Sequence, residues 1–150
     1  MRIAFGCDHA ATDLKYELIA HAESLGHVCV DCGVMPGEAG DYPVYAARTA
    51  QKVQSGDCER GVVVCGTGIG VSITCNKLHG IRCALLSDCF SAKMSRAHND
   101  ANMAAFGARV IGPELAKMML EYFLDTPFEG GRHQRRVDLI MQADRGESLE

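Results

Sequence analysis

Long hydrophobic runs and prolines are scarce in this sequence, and both absences exclude whole classes of protein. No stretch approaches the roughly 18 consecutive apolar residues of a membrane helix, so we expect no membrane-spanning segment. The chain has 4 prolines against 16 glycines, and 23% of its residues are charged, which argues against collagen-like and disordered chains. With 150 residues, 47% of them hydrophobic, the chain is long enough to bury one core. We predict a single domain over residues 1–150.

The sequence also lacks an excess of basic charge. It has 15 lysines and arginines against 19 aspartates and glutamates, a net charge of −4. No long basic run could follow a nucleic-acid backbone, so we expect no nucleic-acid partner. The first residues reach Asp8 before an apolar run long enough for a secretory signal peptide. We therefore expect a cytoplasmic protein.

Cysteine, by contrast, is abundant, with eight residues. Their even number is compatible with disulfides, but thiols stay reduced in the expected cytoplasmic compartment. Cys29 and Cys32 form a C-x-x-C pair, yet no second pair stands at zinc-finger spacing, so we interpret them as packing residues. The useful question is which single cysteine is reactive.

Short apolar runs alternate with segments of helical periodicity along the chain, which is typical of an α/β fold. We predict strands over 2–6, 27–30, 61–65, 82–86 and 108–111. We predict helices over 11–25, 44–54, from the end of the glycine-rich segment 66–70 to about 79, over 91–96, from 113 onward, and from 132 to about 143. Three consecutive valines at 62–64 favour a central strand buried on both faces. The pattern predicts a three-layer, Rossmann-like, doubly wound sheet of five parallel strands flanked by helices.

In such a sheet the ligand site lies at the carboxyl ends of the strands. The segment Cys65-Gly66-Thr67-Gly68-Ile69-Gly70 directly follows the predicted central strand. Its three glycines could free backbone N–H groups to bind an anion, although they could also serve only a tight turn. Val71 stands where the third glycine of a dinucleotide fingerprint would fall, and no Gly-Lys-Ser/Thr follows. The segment therefore predicts an anion site that is neither a dinucleotide fingerprint nor a P-loop.

Cys65 stands at the mouth of this segment, where the start of a helix favours the thiolate form of cysteine. It is the best candidate for a base or nucleophile. A phosphatase-type thiolate would need an arginine in the same loop, and residues 67–72 contain none. We therefore favour proton abstraction over attack on phosphorus, with a buried structural cysteine as the alternative.

Other polar residues could complete a site. Asp8 and His9 follow the first predicted strand, and His98 begins a His-Asn-Asp sequence further along the chain. Arg132 and Arg136 are four residues apart, so on a helix they share one face and could bind a phosphate. An ordinary solvated charged face is the alternative for this arginine pair unless it converges with His9.

Several blocks together resemble the sugar-phosphate isomerases of the ribose-5-phosphate isomerase B and galactose-6-phosphate isomerase family, and the first of these branches in particular. The resemblance covers nearly the whole chain. It rests on Gly6-Cys7-Asp8-His9, Asp41-Tyr42-Pro43, Cys65-Gly66-Thr67-Gly68-Ile69-Gly70, Asn76-Lys77, Ser95-Arg96-Ala97-His98-Asn99-Asp100-Ala101-Asn102, Phe106-Gly107-Ala108-Arg109 and Gly130-Gly131-Arg132-His133-Gln134-Arg135-Arg136.

The resemblance implies an aldose–ketose isomerase that interconverts D-ribose 5-phosphate and D-ribulose 5-phosphate through a cis-enediolate, a step of the non-oxidative pentose phosphate pathway. It implies that Cys65 is the base and that amides of the segment 66–70 stabilise the enediolate. It further implies that Thr67 helps to move protons between the two oxygens. His98, together with Asp8, would open the furanose ring.

The resemblance also implies substrate-binding residues and partners. Asn99 would hold sugar hydroxyls, while His9, Arg132 and Arg136 would bind the phosphate and Arg109 would make a further contact. Tyr42 is a candidate contact that could equally be a packing residue. Family members are homodimers or larger assemblies whose sites are built from both subunits, and they need neither metal nor cofactor. Allose 6-phosphate or galactose 6-phosphate is an alternative substrate, and a non-catalytic phosphosugar- or nucleotide-binding module is the alternative of another class.

Overall fold

The computed structural model describes all residues, 1–150, and contains five strands and six helices. The strands are β1 Arg2–Cys7, β2 Val28–Asp31, β3 Arg60–Cys65, β4 Cys83–Leu85 and β5 Met103–Gly107. The helices are α1 Thr12–Ser24, α2 Tyr42–Gln54, α3 Ile69–Cys75, α4 Cys89–Ala97, α5 Pro113–Asp125 and α6 Arg132–Asp144. None of these helices combines the length and the hydropathy that crossing a bilayer requires.

The five strands form one parallel sheet in the order β2-β1-β3-β5-β4, which confirms the predicted α/β class. Strand β3 is central, and Val62, Val63 and Val64 are all fully buried because successive side chains point to opposite faces and both faces are covered. The larger core cluster packs α1, α4 and α5 on one face, and a second cluster packs α2 and α3 on the other. The chain therefore folds into three layers.

One predicted strand was wrong. The segment 108–111 does not lie in the sheet, and the fifth strand is instead Met103–Gly107, every residue of which is buried. The β-branched Val110 suggested a strand but is 60% exposed in the turn that follows. Small alanines fill β5 because it lies between two strands and under helices on both faces. The correction places Arg109 just beyond the carboxyl end of a strand.

The remaining boundaries agree with prediction to within a few residues, apart from the third helix. It was predicted to continue to about 79 but ends at Cys75. Asn76 ends it by turning its side-chain amide to the next strand, where the amide oxygen accepts from the Cys83 N–H at 2.8 Å and the amide nitrogen donates to the Cys83 carbonyl at 2.9 Å. Side-chain competition of this kind for backbone groups favours turns over helix.

A buried ion pair fixes α1 against the end of β2. The Lys15 side chain is fully buried, and its ammonium donates to the two Asp31 carboxylate oxygens at 2.8 and 2.7 Å. It also lies 3.4 Å from the Val34 carbonyl oxygen. Burial, the largest single effect, disfavours the charged form, but the hydrogen bonds to Asp31 and the other favourable interactions of the ammonium together outweigh it, so the pKa of Lys15 lies above its ordinary value. The positive charge of Lys15 is therefore balanced by a single counterion, Asp31.

We predict that Asp31→Ala destabilises the fold because it leaves the Lys15 ammonium buried without a counterion. The expected loss in free energy of unfolding is about 2–3 kcal/mol, less than for a fully enclosed pair, since the Asp31 side chain is 28% exposed. Urea denaturation followed by circular dichroism measures it. Glu114→Gln, which removes the exposed partner of Lys117, is the control and should leave the midpoint unchanged; equal effects of the two variants would contradict the prediction.

Candidate active site

The segment 65–70 lies at the carboxyl end of the central strand, as predicted. Cys65 is the last residue of β3 and is only 5% exposed. The Gly68 N–H donates to the Cys65 sulfur at 3.1 Å. A donated N–H stabilises negative charge on sulfur, and the start of α3 adds the positive end of a helix nearby. This thiol is therefore placed to take up and return a proton.

Gly68 gives the segment its shape. Its φ of 78° lies in the left-handed region, which favours glycine. A Cβ atom there would lie 2.6 Å from Leu85 Cδ1 and 2.9 Å from the Phe106 carbonyl carbon. The Thr67 hydroxyl oxygen accepts from the Ile69 N–H at 3.2 Å. The turn can thus form only where β4 and β5 allow the backbone to come this close.

Backbone bonds attach the segment to the neighbouring strand. The Ala108 N–H donates to the Cys65 carbonyl and the Arg109 N–H donates to the Gly66 carbonyl, both at 2.9 Å. The Arg109 side chain lies beside Gly66, where an added Cβ would stand 3.4 Å from its Nη1. Arg109 is therefore brought to the thiol by the end of β5, the strand that sequence reasoning misplaced.

Three more predicted residues lie at this edge of the sheet. Asp8 is buried, and its carboxylate accepts from the Ala10 N–H at 3.0 Å. His9 is exposed and lines a cavity of about 290 Å³ at the start of α1. The Tyr42 ring packs against Gly70, since a Cβ there would lie 2.6 Å from it. We call the residues gathered here the carboxyl-edge group: Asp8, His9, Tyr42, 65–70 and Arg109.

His98 and Asn99 lie at the opposite edge. They follow α4, which runs antiparallel to the strands, and the chain from 98 to 102 leads directly into the first residue of β5. The Asn102 carbonyl accepts from the N–H of Gly61, near the start of β3, at 3.0 Å. The four residue steps along β5 separate the two edges by roughly 13 Å of strand. Within one chain, His98 and Cys65 are therefore not neighbours.

The two candidate phosphate-binding arginines lie on the side of His98. Arg132 and Arg136 are exposed in the first turns of α6. Between them in sequence, His133 is buried, and its ring stacks on the His98 ring with centroids 4.1 Å apart and an interplanar angle of 8°. We call His98, Asn99, Arg132 and Arg136 the amino-edge group. Within one chain, Arg132 and Arg136 therefore do not lie close to His9.

Two residues that sequence reasoning gave no role hold the amino-edge loop in place. Arg82 donates to the Asp100 carbonyl at 2.7 Å and to the Asn99 carbonyl at 3.2 Å. Arg96 donates to the Ala101 carbonyl at 2.6 Å and pairs with the Asp100 carboxylate at 2.8 Å. Asp100 has a φ of 46°. The i,i+4 spacing of Arg96 and Asp100 was visible in the sequence, but such a pair is usually a surface pair.

A carboxylate and a second imidazole accompany His98. Glu129 Oε2 lies 3.8 Å from His98 Nε2 and 3.5 Å from His133 Nε2. Burial, with the charges of His98 and Arg132 nearby, lowers the pKa of His133. The three side chains bring their ligand atoms within 4.8 Å of one another. Parallel stacked rings direct their lone pairs side by side, however, and a metal ion needs lone pairs that converge.

Other thiols differ from Cys65 in their surroundings. Burial raises the pKa of Cys7 and of Cys29 to about 11, so both are protonated at neutral pH. Cys65 instead faces a backbone donor and a glycine-rich turn. A thiol beside preorganised N–H groups suits removal of a proton next to a carbonyl, since the oxygen that gains charge can be bound by the same segment.

Comparison with known proteins shows that the whole chain is similar to isomerases. A family model described as Ribose/Galactose Isomerase matches residues 3–140. Ribose-5-phosphate isomerase B of Escherichia coli is 48% identical over 139 residues, 93% of each chain, and D-erythrulose-4-phosphate isomerase of Pectobacterium atrosepticum is 43% identical over 93% of each chain. The structure of Clostridium thermocellum ribose-5-phosphate isomerase B superposes with a TM-score of 0.95 at 42% identity, covering 99% of this chain and 100% of that one.

We predict that Gly68→Ala destabilises the turn beside Cys65 by about 2 kcal/mol or more, because the new methyl adds a clash to the strain of a left-handed residue. Gly26 offers a matched control, since it also has a positive φ of 89° but no atom within 4 Å of an added Cβ. Gly26→Ala should cost only about 1 kcal/mol. Denaturant midpoints measure both, and equal losses would contradict the steric argument.

Proposed function

Because the chain belongs to the ribose/galactose isomerase family and is an isomerase, we propose that it interconverts D-ribose 5-phosphate and D-ribulose 5-phosphate. The observation that carries the reaction type is the Gly68 N–H bonded to the buried Cys65 sulfur at the edge of the sheet. Relatives named ribose-5-phosphate isomerase B, at 48% and 42% identity over nearly the whole chain, support the choice of substrate.

In the proposed chemical step, Cys65 acts as the base. Its thiolate removes the proton from C2 of the open-chain aldose, and the C–H electron pair forms the C1–C2 double bond while O1 takes the negative charge. A proton then moves from O2 to O1, which Thr67 assists. The thiol returns its proton to C1 as the O2 carbonyl forms, so no electrons leave the substrate. N–H groups of the segment 66–70 bind the enediolate oxygens, a role in which fixed donors contribute strongly.

The sugar must first open, and we assign this step to His98 with Asp8. A proton leaves the O1 hydroxyl of the furanose, the C1–O4 bond breaks as the C1 carbonyl forms, and O4 receives a proton. Asn99 holds the sugar hydroxyls. The phosphate lies among His9, Arg132 and Arg136, whose N–H donors suit it, and Tyr42 and Arg109 make further contacts.

These roles require two chains, because the carboxyl-edge and amino-edge groups lie at opposite ends of the sheet. We therefore propose a homodimer, or a dimer of dimers, in which each site combines the carboxyl-edge group of one subunit with the amino-edge group of the other. Exposed apolar side chains beside the Gly68 turn support a contact there. Leu85 Cδ1 lies against the turn and Val110 Cγ2 lies against its neighbour Gly107, and these side chains are 46% and 60% exposed. Strand β4 is also an unpaired edge of the sheet.

We predict that Cys65→Ala lowers isomerisation by about 10²- to 10⁴-fold while ribose 5-phosphate still binds, because a base is lost but the binding groups stay. Incubation in heavy water, followed by NMR of the C2 proton, measures exchange directly. Cys29→Ser, at a half-buried thiol on the edge strand β2, is the control and should exchange like the wild type. Exchange that persists in Cys65→Ala would rule out Cys65 as the base.

The same assay with allose 6-phosphate, and exchange at C1 for the ketose erythrulose 4-phosphate, distinguishes the substrates, because small differences in the pocket decide which length of sugar is accepted. A protein that binds ribose 5-phosphate without any exchange at C2 would be a binding module. Faster turnover of allose 6-phosphate would replace the proposed substrate while leaving the reaction type unchanged.

We predict that two inactive variants complement each other in trans. A heterodimer of Cys65→Ala with His98→Asn has one site with both substitutions and one with neither, because each site draws on both subunits. Random mixing on co-refolding makes half of the dimers heterodimers, so activity should recover to about one quarter of the wild type. Each variant refolded alone is the control. A mixture as inactive as its components would place the whole site within one subunit.

A further inference from the structure

His98 lies beside two side chains, Glu129 and His133, to which the proposed function gives no role. The His133 ring lies parallel to the His98 ring at 4.1 Å, and His133 is buried whereas His98 is partly exposed. Glu129 Oε2 lies within ion-pair distance of Nε2 of both rings, 3.8 Å for His98 and 3.5 Å for His133. Two imidazoles thus share one carboxylate on one side and leave part of His98 open.

The backbone makes this arrangement rigid. The Glu129 N–H donates to the carbonyl of Ala97, the residue just before His98, at 3.0 Å. Gly130 and Gly131 follow with φ of 65° and 53°, and this left-handed turn brings the chain back so that α6 starts over His98. The His133 N–H donates to the Gly130 carbonyl at 3.0 Å. Both supporting side chains are therefore fixed to the end of α4 that carries His98.

Among the charged side chains around His98 and His133, Glu129 is the carboxylate that faces the two imidazoles. Arg132 and Arg136 lie on α6 with His133, whose pKa is lowered by burial first and then by the charges of His98 and the two arginines. Asp100, the nearest carboxylate in sequence, already pairs with Arg82 and Arg96. Glu129 is 56% exposed and has no cation of lysine or arginine within pairing distance. Its carboxylate is therefore free to orient the two imidazoles.

We propose that Glu129 and His133 are positioning residues that fix the ring plane of His98 for opening the furanose. The inference rests on the proposed function, since it needs His98 to move protons between O1 and O4. Glu129 limits rotation of the ring through Nε2, and the stacked face of His133 blocks the other orientations. Neither residue needs to touch the sugar.

Ring opening can be separated from the enediolate step by the choice of substrate. Ribulose 5-phosphate has no free hydroxyl at C5 and stays open-chain, so exchange of its C1 hydrogen with heavy water needs the Cys65 step but no ring opening. Turnover of ribose 5-phosphate needs both steps. A variant that only misplaces His98 should lose turnover of ribose 5-phosphate and keep C1 exchange in ribulose 5-phosphate. A damaged fold or a lost binding site lowers both activities.

We expect Glu129→Gln and His133→Ala to lower kcat for ribose 5-phosphate at least about 10-fold, because misaligned acid–base groups lose much of their rate effect, while C1 exchange in ribulose 5-phosphate stays within about 2-fold of the wild type. His98→Asn should lower kcat for ribose 5-phosphate at least as much as either of these variants. His133→Phe keeps the stacked face and should fall closer to the wild type than His133→Ala. Glu121→Gln is the matched control, since Glu121 pairs with His21 on the distant α1–α5 surface, and it should change neither activity.

Each outcome decides between the alternatives. Unchanged kcat in both Glu129→Gln and His133→Ala would overturn the proposal, and so would equal losses of turnover and C1 exchange. A His133→Phe variant as slow as His133→Ala would show that stacking does not position the ring. If the wild-type protein exchanges neither substrate, the proposed function fails instead, and that result is distinct from a failure of the positioning role.

Discussion

Pairing of β3 between β1 and β5 is the constraint on which the rest of the structure depends. Parallel hydrogen bonding sets Cys65 beside Gly107 and Val64 beside Cys7, so the ends of three strands meet at one edge. Valines and alanines buried on both faces fix this register, since a shift of one residue would exchange the two faces. The thiol, the glycine-rich turn, Asp8 and Arg109 are neighbours only because these strands end together.

The same parallel order separates the residues to which the proposed mechanism gives roles. Each crossover helix returns the chain to the amino edge, so residues after α4 and α5 lie away from residues after β3 and β5. His98, Asn99 and the start of α6 accordingly stand at the edge opposite to Cys65. A single chain thus carries two separate groups, and in the proposed homodimer a second copy supplies each group with the other. The unpaired β4 edge and the exposed Leu85 and Val110 beside the turn give such a copy a surface to contact.

Buried charge sets local geometry at several positions. Lys15 is held by Asp31, and the loop after α4 is held by Arg82 and Arg96 through backbone carbonyls. Buried or partly buried charges tolerate few alternative arrangements, because a displaced partner leaves an unpaired charge in a poorly solvated place. Such groups therefore make good supports for loops that must present side chains in one orientation.

The sequence by itself determined the α/β class, the central valine strand and the glycine-rich turn after Cys65, because these depend on local periodicity and on residues next to one another. It misplaced β5, since alanines carry little strand preference of their own and are selected there by two-sided burial. Only the tertiary structure decided that Cys65 and His98 lie at opposite edges and that Glu129 and His133 surround His98. Those distances follow from strand order and helix direction, which bring together or separate residues far apart in the chain.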